Sequence, residues 1–157
     1  RQILSLLIEE LCIHSSIDEV IVFPLIELLL VPDGKRLAER NYWQHLLNRI
    51  HFQKILEMDM NDKMFDSSVQ HMMVYMRDQM KNNEFDIYAH AKQKMTQEQL
   101  AVLYRLVEAA RQLAPSVPRD NHSWFRGRIV EVFDDLKYSI KQLHQHQQQQ
   151  QQQFSRC

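Results

Sequence analysis

From Ile3 to Leu30 the chain repeats apolar residues at three- and four-residue steps, through Leu6, Leu7, Leu11, Ile17, Ile21, Leu25 and Leu28. That period is the signature of a helix that buries one face. Three polar side chains, Glu10, His14 and Asp18, stand inside the same stripe. The inner stripe is otherwise apolar.

The rest of the chain repeats the pattern. Val31-Pro32-Asp33-Gly34 reads as a turn. A second helix, about Lys35 to Glu57, presents Leu37, Asn41, Gln44, His45, Asn48, Phe52, Ile55 and Leu56. The polar stretch from Met58 to Asp62 closes it. A third, about Phe65 to Ala91, presents Val69, Met72, Met73, Met76, Gln79, Met80, Asn83 and Ile87. Thr96-Gln97-Glu98-Gln99 forms a capping box opening a fourth, which ends at Ala114-Pro115. Ser116 to Asn121 reads as a loop, and Trp124 to Leu143 as a peripheral fifth helix. Pro24 falls inside the first pattern and is expected to kink that helix or end it near Phe23. Only two glycines among 157 residues, with eight methionines and many Leu, Gln, Lys and Glu, leave few turns and no strand pattern, so the fold class is all-α. The length suits one core. The organisation expected is a helical bundle over residues 1–122, a C-terminal helix over 123–143 and a disordered His/Gln-rich tail over 144–157, which holds a run of seven glutamines at 147–153.

A formal net charge of −1 gives no basic face for nucleic acid or an anionic membrane surface. No segment approaches a membrane span. Two cysteines, Cys12 in an apolar pattern and Cys157 at the last position, make no disulfide framework, so a reducing, cytoplasmic setting is expected. Cys12 reads as a buried hydrophobe and the methionines of the third helix as core. No serine or cysteine has a base-and-orienter arrangement, and no glycine-rich phosphate loop exists, so an enzyme is not the expectation.

The sequence His14-Ser15-Ser16-Ile17-Asp18-Glu19 puts an imidazole one turn before two carboxylates. Residues four apart share a helix face, so His14 and Asp18 can meet one cation with Glu19 to the side. Imidazole with carboxylate suits iron, manganese or zinc. The alternative for the same residues is a His-carboxylate pair that satisfies itself within the core.

The run Leu11-Cys12-Ile13-His14-Ser15-Ser16-Ile17-Asp18-Glu19-Val20-Ile21-Val22-Phe23-Pro24 resembles the hemerythrin-like (HHE cation-binding) family. Met95-Thr96-Gln97-Glu98-Gln99-Leu100, Ala114-Pro115, Pro118-Arg119 and His122 support it, so the resemblance covers roughly Ile3 to His122. It implies an up-and-down four-helix bundle around non-haem iron, with dioxygen as a further ligand. His14 then matches a helix histidine, Asp18 stands where a bridging glutamate is usual, His45 matches the histidine of the next helix, and Glu84 falls where the last ligand helix supplies a carboxylate. Gln79 and Asn83 replace a His and a Glu of the family pattern, and the family's opening helix has no counterpart, so the first helix here corresponds to its second. A full di-iron site needs more imidazoles and carboxylates than these, because amide oxygens carry no charge. The expectation is at most one weakly held metal on His14, Asp18, Glu19, His45 and Glu84. The alternative is a metal-free protein-interaction domain that kept the scaffold. The absent helix leaves three expectations open: the chain is a fragment, the C-terminal helix Trp124 to Leu143 fills the groove, or a second copy of the chain does.

Overall fold

The structure, a computed structural model, describes residues 1–118 and 133–142, and within them all regular structure is helical. Helix α1 (Gln2–Ile17) passes through a π-helical turn at Asp18–Val22 into α2 (Phe23–Leu29). Helix α3 (Gly34–Glu57) follows a short connection, and α4 (Phe65–Asn82) passes through a second π-helical turn, Asn83–Tyr88, into α5 (Ala89–Gln93). Helix α6 (Gln97–Arg111) and a helix over residues 133–142, α7, complete the described chain. The tail at 144–157 and the first part of the expected fifth helix lie outside the described residues.

Pro24 neither ends the first helix nor leaves its hydrogen bonding broken. The Phe23 amide reaches back five residues to the Asp18 carbonyl, so the helix is already widened where the proline arrives. Pro24 then sits in the first turn of α2, where a missing N–H costs nothing. The predicted capping box is present: the Thr96 side chain accepts from the Gln99 amide and the Gln99 side chain accepts from the Thr96 amide.

α1 and α2 run antiparallel to α3. The Arg1 guanidinium meets the Leu56 carbonyl at one end, and Gly34 lies against the Ile26 carbonyl at the other. α4 returns along α3, with Gln79 beside Asn48 and Gln44. α6 packs on α1, and Arg111 pairs with Glu10 at 2.5 Å.

The core is layered. Ile8, Leu11 and Cys12 of α1 pack with Phe52, Ile55, Met72 and Met76 in one apolar cluster. Phe23, Ile26, Ala38 and Ile87 form another on the far side. Between them lie the buried polar side chains of Asp18, Glu19, His45, Asn48, Gln79 and Asn83, with Asn41 one turn before His45 on α3. The two largest fully buried rings, Phe23 and Phe52, bracket this layer, and each contributes roughly 1.5–3 kcal/mol by leaving water. Of the methionines expected in the core, Met72 and Met76 are buried, whereas Met73 and Met80 are exposed because Gln79 and Asn83 hold the inward positions. A third cluster joins Ile17, Val20, Ile21, Leu25 and Leu29 to Leu106 and Ala110 of α6 and to Phe133, Leu136 and Ile140 of α7. The apolar side of α1 and α2 that faces away from α3 is therefore covered by α6 and α7.

Candidate functional site

Both π-helical turns fall at the polar layer. Such turns widen the helix by one residue, redirect side chains, and recur at functional positions. In the first, Asp18 and Glu19 are both carried into the interior, 3% and 7% exposed. In the second, Tyr88 closes the wider turn and its hydroxyl reaches Asp18.

Asp18 is the hub. Its Oδ2 accepts a hydrogen bond from the Tyr88 hydroxyl at 2.9 Å. The same oxygen lies 3.4 Å from His14 Nε2 and 3.9 Å from His45 Nε2, so two imidazoles from two helices converge on it. Among the described residues no lysine or arginine pairs with Asp18. Burial, and then the Asp18 charge, push the Tyr88 hydroxyl well above the ordinary tyrosine range, which keeps it protonated as a donor.

Glu19 is balanced differently. Arg49 forms a direct ion pair with its Oε1, and His45 Nδ1 lies 3.3 Å from the same oxygen. The Tyr42 hydroxyl donates to the Glu19 backbone carbonyl at 2.9 Å. Phe23 packs edge-on against Tyr42 and lies tilted over His45, each at 4.9 Å between ring centroids. His45 is thereby held between Asp18, Glu19 and Phe23, although its Nδ1 completes no hydrogen bond within the described residues.

The opposite half of the layer is built from amides. Asn48 Nδ2 donates to Gln79 Oε1 at 2.9 Å, and Gln79 Nε2 donates to Gln44 Oε1 at 3.0 Å. Asn41 turns its Nδ2 back to the Leu37 carbonyl of its own helix at 2.8 Å, leaving its buried Oδ1 without a partner. An apolar cavity of about 270 Å3, lined by Val22, Leu25, Ile26, Leu29 and Met95 among others, reaches Asp18 and Tyr88 from the α6 side.

Four of the five residues singled out by sequence, His14, Asp18, Glu19 and His45, are thus brought together. Glu84 is not: it is exposed and stands outside the group. His14 is half-exposed at the rim. Sequence reasoning passed over Arg49, which balances Glu19, and Tyr88, which holds Asp18. The signal for Arg49 was its place four residues after His45, on the same helix face. Nothing local marked Tyr88, since its approach depends on the wide turn.

Among the described residues, no group of three or more His, Cys, Asp or Glu side chains is arranged to hold a metal ion. No helix among them is long and apolar enough to cross a membrane. Neither a family model, nor a curated protein, nor a solved structure matches this chain.

Proposed function

We propose that the chain is a hemerythrin-like helical domain whose centre is reduced to one weak divalent-cation position on His14, Asp18 and His45, with iron the first candidate. The observation that carries this reading is the convergence of two imidazole Nε2 atoms, at 3.4 and 3.9 Å, on one carboxylate oxygen that is buried and has no lysine or arginine beside it among the described residues. A buried carboxylate needs positive charge nearby. Either a protonated imidazole or a bound cation supplies it, and imidazole with carboxylate is a donor set suited to ferrous iron. The alternating rods and the buried polar side chains shared between them support an up-and-down bundle of the hemerythrin-like kind.

A di-iron centre does not fit these residues. The positions that would hold a second ion carry Gln44, Asn48, Gln79 and Asn83, and three of these amides are already joined in one hydrogen-bonded chain. A single ion would supply a Lewis-acidic, redox-active centre. The protein's own groups do the positioning: Tyr88 fixes the Asp18 carboxylate, and Arg49 keeps Glu19 as an orienting partner for His45 rather than a ligand.

The amide chain, with no enclosing three-ligand group among the described residues, favours a second reading, a metal-free domain that uses the scaffold for protein contacts. Anaerobic loading with ferrous iron, followed by elemental analysis, separates the two. Close to one iron per chain, lost in His14→Ala and His45→Ala, is the expected result. Iron no higher in the parent than in those variants would overturn the cation reading and leave the metal-free one.

A further inference from the structure

The amide half of the polar layer opens into a second cavity, about 200 Å3, lined by Arg40, Gln44, Gln79, Asn82 and Asn83. Its chemistry is the reverse of the Asp18 side. Among the described residues no carboxylate lines it, and Arg40 supplies a guanidinium. Arg40 forms no ion pair among the described residues, in contrast to Arg36, which pairs with Asp33, and Arg49, which pairs with Glu19.

The direction of the hydrogen bonds decides what the cavity presents. Asn48 donates to Gln79 Oε1 and Gln79 Nε2 donates to Gln44 Oε1, so each end of Gln79 is engaged once and the chain stops with Gln44. The Gln44 amide nitrogen donates to no acceptor among the described residues and is the free donor end of that chain. Gln79 and Asn83 are 7% and 6% exposed, so the wall behind it is fixed by packing.

A cation would meet Arg40 with no carboxylate to balance it. An apolar molecule would strand the amide donors, at a cost of about 1–3 kcal/mol each. A planar carboxylate matches both features, because a guanidinium offers two parallel N–H groups to its oxygens and a neutral amide adds a further donor. We propose that this cavity is a binding site for a small carboxylate, with Arg40 carrying the charge and the Gln44 amide completing the contact. The site is independent of whether His14, Asp18 and His45 hold a cation.

Acetate titrated into chelator-treated protein at low ionic strength, followed through the side-chain amide resonances of Gln44, Gln79 and Asn83, tests it. Saturable shifts are expected in the parent. Arg40→Gln should weaken binding at least tenfold with an unchanged melting temperature, since Arg40 is exposed. Arg40→Lys, which keeps the charge but loses the fork, should fall between. Absence of saturable shifts, equal affinity in Arg40→Gln, or tighter binding of phosphate than of acetate would each overturn the assignment.

Discussion

The Tyr88 hydroxyl donates to Asp18 Oδ2 at 2.9 Å, and this one bond ties together the two widened turns of the molecule. It lets a carboxylate sit in the interior between two apolar clusters, with its free lone pairs turned to His14 and His45. Removing the donor while keeping the ring isolates that role. Tyr88→Phe should lower unfolding free energy by about 1–3 kcal/mol, the cost of a buried acceptor losing its partner. Urea unfolding measures it. An unchanged midpoint would mean that the imidazoles alone satisfy Asp18.

Gly34 marks where α2 turns into α3. A Cβ there would stand 2.3 Å from the Ile26 carbonyl oxygen and 3.0 Å from Glu27 Cα, both backbone atoms that cannot rotate away. Alanine would favour the helix by about 1 kcal/mol. The overlap costs about 1–3 kcal/mol and falls at the upper end because backbone must move. Gly34→Ala should therefore be net destabilising by about 1–2 kcal/mol in chemical denaturation.

Much of this fold could be read from periodicity. Of the inward positions of α3 that the helical repeat picks out, Asn41, His45, Asn48, Phe52 and Ile55 are buried, while Leu37, Gln44 and Leu56 are half-buried at the edges of the same face. The same repeat assigned His14, Asp18 and His45 to inward faces, and they do meet. What periodicity cannot show is a change of phase within a helix. A turn widened by one residue moves every later side chain, which is how Tyr88 comes to Asp18; Glu84 points to solvent because its neighbour Asn83 holds the inward position. Pro24 was the one visible mark of such a turn, and the rule that proline breaks helices hid it. The charge balance of Glu19 was equally hidden, because it depends on Arg49 from another helix.

Cys12 gives a pH-dependent signature. Burial, partly offset by the Arg49 charge, raises its thiol from 9.0 to about 11. Between these values the unfolded chain releases a proton that the folded chain keeps, so stability falls as pH rises from about 9 towards 11. In a Cys157→Ser background, Cys12→Ala should flatten this part of the stability profile, while the parent loses ground between pH 8.5 and pH 10.5 by roughly the free energy that one or two pH units of linkage allow. Parallel profiles would mean that Cys12 does not titrate in the folded state differently from the unfolded chain.

The amide half of the polar layer predicts how a metal centre would have to be rebuilt. Gln79 and Asn83 lie one turn apart on α4 and the wide turn, both buried, opposite His45 and Asn48. Neither carries charge, so among the described residues the buried carboxylates of the layer are Asp18 and Glu19. Gln79→His with Asn83→Glu adds an imidazole and a carboxylate to the bare side and breaks the Asn48–Gln79–Gln44 chain. Its cost in the metal-free protein is several kcal/mol, since a new buried carboxylate lacks a cation. Ferrous iron should repay that cost: the double variant is expected to be less stable than the parent when metal-free, to gain melting temperature on loading, and to bind more iron per chain. Iron content and calorimetric melting with and without chelator measure both effects. A double variant that melts lower and stays equally low when loaded would mean that the rods no longer hold these four positions at metal-binding distance, and the scaffold itself, not only its ligands, has moved away from a cation site.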